Sequence, residues 1–298
     1  MENTAVQVKK ESKVKKFFAK FKQAKFHKPY FAIPYGVLIT IFIVVPLGIV
    51  LVRSFMSDVD GSFTFGNYAY FFGNPYILRT LGNSILIALL TTIGCLLLTY
   101  PIALILSNSN FNKSMILVLL FVLPMYINFM LRTFAMRSVL DLLGIGTVDR
   151  TPANQLFRIV VAHIYDFFPF MLLPIYTCMV NIDKSYIEAS KDLGASSWKS
   201  FWKVTFPLSL PGVLSGVLMV FMPTLSMFAV RDLINTGNEW LMVGNQIFSM
   251  FHGGAGARRN IGAAFSMILL ILVAAVMIVA NRLNALKNKK LGEGGKKV

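Results

Sequence analysis

The sequence predicts an all-α integral membrane protein with six transmembrane helices. Three observations carry that prediction. Of 298 residues, 56% are hydrophobic and only 14% are charged, whereas a soluble domain carries about a quarter charged residues. Six charge-poor runs lie near 31–52, 81–106, 114–131, 159–182, 211–230 and 261–281. Each approaches the roughly 20 residues a helix needs to cross a bilayer. The basic residues between the runs segregate by side, as the positive-inside rule requires.

The elements follow in chain order. Residues 1–30 form a basic tail with nine Lys and an amphipathic pattern (Val14, Phe17, Phe18, Phe21) suited to a membrane surface. The first span and an outer loop occupy 31–80. That span is too long for a signal-peptide core, and no A-x-A cleavage site follows it. A transmembrane core fills 81–284, and a second basic tail closes the chain at 285–298. The third span holds a Leu-rich block and Pro124. The fourth holds Asp166, Pro169 and Pro174, two prolines that can break or kink it. The outer loops 132–158 and 231–260 are polar and contain Gly, consistent with short helices or re-entrant segments.

Placing the N-terminus inside gives the cytoplasmic segments 20 basic residues and the outer loops nine Arg with no Lys. Both termini are therefore expected in the cytoplasm, at a bacterial plasma membrane. The net charge of +16 is concentrated at the chain ends beside hydrophobic spans. It reads as contact with anionic lipid, not with nucleic acid. Cys95 and Cys178 sit in apolar runs and read as buried thiols. His27, His163 and His252 match no metal-ligand spacing. The sequence has no phosphate-binding G-x-x-x-x-G-K-[ST] loop, so no nucleotide site or other cofactor is expected in this chain.

The loop 183–211 is the most informative segment. Ser185 and Glu188 have the spacing of a capping box. Tyr186, Ala189, Ser190 and Leu193 recur on one helical face, and Gly194 is placed to end the helix in a left-handed cap. A second short helix is expected from Ser196 or Ser197, with Trp198, Phe201 and Trp202 on one face. Pro207 and Pro211 are expected to stop it. The small residues Ala189, Ser190, Gly194 and Ala195 form a ridge that another surface can approach.

The run E-A-S-x-x-x-G-A-S, continuing through F-P-L-x-x-P-G, resembles the EAA loop of ABC-importer permeases. Two positions depart from that pattern: Ser190 stands for the second alanine and Phe206 for the leucine before proline. The stretches 121–136, 167–197 and 222–234, followed by Gly244-Asn245, extend the resemblance over nearly the whole chain, most closely to first-subunit permeases for spermidine and putrescine. The resemblance implies the type I ABC importer permease fold. It also implies a coupling helix, carried by Tyr186, Glu188, Ala189, Ser190, Asp192, Leu193, Gly194 and Ala195. Implied partners are a second, homologous permease in a heterodimer, two ATPase subunits and an extracytoplasmic substrate-binding protein. ATP and Mg would be used by the ATPases.

A polyamine needs carboxylates and aromatic faces. Asp166, Tyr165, Phe168, Tyr126 and Asp232 are the candidate pathway residues, beside the further acids Asp141, Asp149 and Glu239. A charged Asp near the centre of a span costs about 2.5–3.5 kcal/mol on insertion scales. Asp166 should therefore face the bundle interior or a wet cavity, or join a structural network with His163. Arg132 and Arg137 would repel a cation and suit holding the outer loop. Gly212-x-x-x-Gly216 permits close helix approach, to a neighbouring span or to a partner. Thiamine, ferric iron or another small solute are alternative cargoes of the same family. A secondary transporter would leave the EAA-like loop without a role. A membrane enzyme would need more partners than the His163–Asp166 pair supplies.

Overall fold

The computed structural model describes residues 33–108, 111–146, 151–234, 239–254 and 258–294. The basic N-terminal tail and Asp149 lie outside the described residues. Every named element is helical. The chain divides into two units, Met1–Val52 and Arg53–Val298.

Within the first unit runs most of α1 (Ile33–Ser54). The second unit contains α2 (Gly66–Gly73), α3 (Pro75–Asn108), α4 (Phe111–Val122) and α5 (Phe129–Leu142). It continues with α6 (Pro152–Val180), α7 (Lys184–Asp192) and α8 (Ser197–Ser226). Last come α9 (Ala229–Ile234), α10 (Val243–His252) and α11 (Arg259–Gly294). Among the described residues five helices, α1, α3, α6, α8 and α11, are long and apolar enough to cross a membrane.

The third run, expected as a span over 114–131 that Pro124 can break or kink, is broken. A 3-10 turn at Leu123–Tyr126, with Pro124 at its start, separates α4 from α5, and the two helices meet at 99°. Pro124 offers no N–H to extend α4. Asn128 then starts α5 afresh, its side chain accepting from Met130 N at 2.9 Å. Counted as one broken span, the pair makes six.

The core is a three-helix packing of α3, α6 and α8 around Cys95, Phe167, Met171, Ile175 and Val213. The Gly212-x-x-x-Gly216 pair decides how closely α8 approaches α6. A Cβ at Gly212 would lie 2.5 Å from the Cys178 Cβ and 2.7 Å from the Pro174 carbonyl oxygen. One at Gly216 would lie 2.6 Å from the Met171 sulfur. The motif thus serves contact within this chain. Cys95 and Cys178 are free thiols, each directed at a main-chain carbonyl of a neighbouring helix.

Neither proline pair interrupts its helix. α6 runs unbroken through Pro169 and Pro174. α8 runs through Pro207 and Pro211, so the short second helix expected after Gly194 is the first turn of a span. A π turn explains the passage through Pro207. Phe201–Thr205 is π-helical, and Phe206 N reaches back five residues to Phe201 O. This widens the helix by one residue just where a proline ring would crowd the preceding turn. In α1 the same device precedes Pro46: Thr40–Val44 is π-helical and Val45 N bonds Thr40 O.

At the end of the bundle away from α7, the chain after α1 closes the start of α11. Asp58 accepts from the backbone N–H groups of Asn260 (2.9 Å) and Ile261 (3.3 Å). A carboxylate there satisfies orphan donors and complements the helix dipole. Asn67 holds the strap by donating to the Ser54 and Met56 carbonyls.

Candidate functional site

α7 is a nine-residue helix outside the spans. Asp183 begins it, accepting from Ser185 N at 2.9 Å. This replaces the Ser185–Glu188 box: Asp183 lies one residue ahead of the helix, where a cap must sit, and Ser185 is already inside it. The same bonds from Ser185 hold the Asp183 carboxyl below the usual carboxylate range.

The end of α7 is a Schellman cap. Gly194 has φ +76. Gly194 N bonds Lys191 O at 2.8 Å, and Ala195 N bonds Ser190 O at 3.0 Å. Ser196 then caps α8 through Lys199 N. The two helices are pinned side by side by a hydrogen bond between the Ser190 and Ser200 hydroxyls, 2.7 Å apart. The serine standing where the family pattern has alanine thus has a partner here.

One face of α7 is bare. Tyr186 is 59% exposed and Leu193 89% exposed, with Ala189 exposed between them. Glu188, Asp192 and Gly194 are exposed as well; Ala195 is half-buried. Trp198 and Trp202, which stack edge to face at 5.7 Å, extend the exposed surface along α8. An isolated helix this short does not hold its shape in water. The two caps and the serine bridge set it instead.

The candidate pathway residues have different surroundings. Asp166 is 1% exposed on α6 and faces α5: Thr133 Oγ1 donates to its Oδ2 at 2.9 Å, and Arg132 Nη2 lies 3.7 Å from Oδ1. His163 is not its partner. The His163 Nδ1 lies 2.8 Å from Ile159 O, and its ring stacks on Phe167. A helical i, i+3 spacing does not aim two short side chains at each other when each finds a nearer partner. Tyr165 is half-buried. Phe168 packs against Phe121 with centroids 5.7 Å apart. Tyr126 is 83% exposed at the α4–α5 bend. Asp232 accepts from Arg231 (2.9 Å) and from Asn245 Nδ2 (2.7 Å).

The arginines at the end away from α7 tie helices together. Arg158 joins Asp141 at 2.5 Å and the Ile145 carbonyl at 2.6 Å. Arg137 donates to Leu233 O, linking α5 to α9. Among the described residues no cluster of three or more His, Cys, Asp or Glu could hold a metal. Thr133 as the partner of Asp166, and Ser200 as the partner of Ser190, left no signal in the linear sequence. Asp183 did: an Asp two residues before a Ser at the edge of a polar run is a capping signature.

The chain belongs to the family described as binding-protein-dependent transport system inner membrane component, whose pattern matches residues 100–292. It is 33% identical, over 90% of its own length and 97% of the relative's, to the spermidine/putrescine transport system permease protein PotB of Haemophilus influenzae. It is 31% identical, over 85% of its length and 96% of the relative's, to PotB of Escherichia coli. Among solved structures it resembles a chain of a bacterial ABC transporter that imports alginate, with TM-score 0.69 at 15% identity, covering 93% of this chain and 98% of that one. It also resembles a chain of the inward-facing MetNI methionine ABC transporter, with TM-score 0.54 at 16% identity, covering 70% of this chain and 95% of that one. These likenesses establish the type I ABC importer permease fold.

Proposed function

We propose that this chain is the permease subunit of an ATP-driven importer of polyamines, moving spermidine or putrescine across the membrane by alternating access. The observation that carries the cargo is end-to-end similarity to permeases named for spermidine and putrescine. The fold does not select it, since its structural neighbours belong to transporters of alginate and methionine.

In this reading α7 is the coupling helix. Its bare strip, Tyr186, Ala189 and Leu193, docks on an ATPase, and Glu188, Asp192, Gly194 and Ala195 are the further proposed coupling residues of the segment. Ser190 faces away, onto α8. ATP with Mg binds in the ATPase pair, and this chain makes no covalent chemistry. The Ser190–Ser200 bridge and the unbroken α8 support a rigid link from the joint into the core. A push on α7 reaches Gly212 and Gly216, where α8 meets α6 too closely to slide freely. A second permease in a heterodimer and an extracytoplasmic binding protein complete the assembly, and both termini of this chain face the cytoplasm.

Asp166, Tyr165, Phe168, Tyr126 and Asp232 are the proposed cargo contacts. Arg132 sits beside Asp166 and Arg231 pairs with Asp232. Each carboxylate would meet an ammonium only as its arginine contact opens. The test is ATP-dependent uptake into vesicles carrying this chain and its partner subunits, with labelled spermidine and putrescine against thiamine and iron. Polyamine uptake abolished by Gly194→Asp is the expected result. Uptake of thiamine or iron alone would overturn the cargo, and uptake without ATP would overturn the importer.

A further inference from the structure

A cavity of about 370 Å³ lies behind α7, on the side opposite the bare strip. Lys184, Ile187 and Lys191 line it. At 100° per residue these three fall on one face of α7, and Tyr186, Ala189 and Leu193 fall on the other. Ser107, Asn108 and Ser197 add polar groups to the wall. Leu104, Met179, Val180 and Phe201 make its apolar side, at the ends of the membrane spans. Among the described residues neither lysine is in an ion pair: all four salt bridges are made by arginine. Glu188 stands one turn from Lys184, the usual spacing for such a pair, yet does not take it.

We propose that this cavity binds the phosphate of an anionic membrane phospholipid, with the two ammonium groups on the headgroup and the apolar wall against the glycerol and the root of the acyl chains. Two cations on one wall call for an anion. The cavity, about 370 Å³, is larger than a phosphate alone fills. The apolar wall would be wasted on a soluble ion. It suits a ligand that is half hydrocarbon and that reaches the site from the bilayer edge. Because the cavity lies between α7 and the ends of α3 and α6, an occupied site braces the helix from behind. The inference is independent of the cargo and of the ATPase contact.

The test uses the full chain purified in detergent, with phosphatidylglycerol binding titrated by native mass spectrometry against phosphatidylcholine. The double variant Lys184→Gln/Lys191→Gln should weaken phosphatidylglycerol binding on the order of 25-fold, about fivefold for each charge removed. Ser107→Phe, which fills the cavity without changing charge, should also weaken it. Lys199→Gln/Lys203→Gln, an equal charge change away from the cavity, should leave it intact. Equal loss in this control pair would reduce the effect to general surface charge and overturn the site. So would binding that survives both cavity variants. Displacement by inorganic phosphate would make the ligand a soluble anion and overturn the lipid assignment.

Discussion

Replacing Asp166 by Leu tests whether the buried contact between α5 and α6 is a structural pair. Asp166 and Arg132 are 1% and 6% exposed and stand 3.7 Å apart. At an effective dielectric of about 20, unit charges near 4 Å attract by about 4 kcal/mol. Thr133 adds a hydrogen bond to the carboxylate at 2.9 Å, worth about 1.5–3 kcal/mol because the acceptor is charged. The Arg132 Nε and Nη1 have no hydrogen-bond partner among the described residues. Asp166→Leu therefore leaves a guanidinium buried with nothing to neutralise it, and the expected loss of stability is about 3–5 kcal/mol. Arg132→Met in the same chain removes that orphaned charge and should return most of the loss, a coupling of about 3 kcal/mol in a double-mutant cycle. Unfolding in mixed micelles titrated with SDS gives the four stabilities, and vesicle uptake gives function on the same variants. A stable double variant with no uptake would place Asp166 in the transport path as well as in the core. A single Asp166→Leu variant as stable as the parent, or a cycle with no coupling, would refute the pairing argument.

Three further outcomes follow from the geometry. Gly216→Leu should destabilise by about 1–3 kcal/mol or more in the same unfolding assay, because the new side chain meets Met171 and α6 cannot yield locally. Gly194→Ala should cost about 1 kcal/mol, the penalty for a Cβ at φ +76, and should read out as faster hydrogen exchange along α7 and weaker coupling of ATP hydrolysis to uptake. Hydrogen exchange of α7 should also depend on pH through Asp183. Its carboxyl is held below the ordinary 3.8 by the bonds from Ser185, so its stabilisation is present above that value and is lost as pH falls through the lower, folded one. Asp183→Ala should exchange fast at every pH, and an unchanged pH profile in that variant would exclude Asp183 as the cap.

The class of fold and the helix–turn–helix at Gly194 were legible in the residues because both rest on local physics. Bilayer-length apolar runs can only be helices, since an unpaired main chain is too costly in lipid. A glycine that must take φ > 0, followed by a serine able to cap, marks a helix–turn–helix wherever it stands. The failures were local rules overridden by neighbouring turns. Pro207 and Pro211 read as stops, but a π turn lets the helix through. Ser185 read as the cap, but Asp183 took that position.

What the sequence alone determined is therefore the medium, the helical class, the place of the capped helix between spans four and five and, through its family resemblance, the kind of machine. Each of these is set within a window of some twenty residues or by a fixed motif spacing. Only the tertiary structure decided which side chains meet. Asp166 lies 33 residues from Thr133 and could not be assigned to it over His163 in advance. Gly212 and Gly216 could not be assigned to α6 over a partner chain. The two faces of α7 could be drawn from periodicity, but only the packing of α3, α6 and α8 behind it shows that the lysine face closes over a cavity and the Tyr186–Leu193 face does not. Helical periodicity shows which residues share a face; which face is covered depends on contacts between segments far apart in the chain.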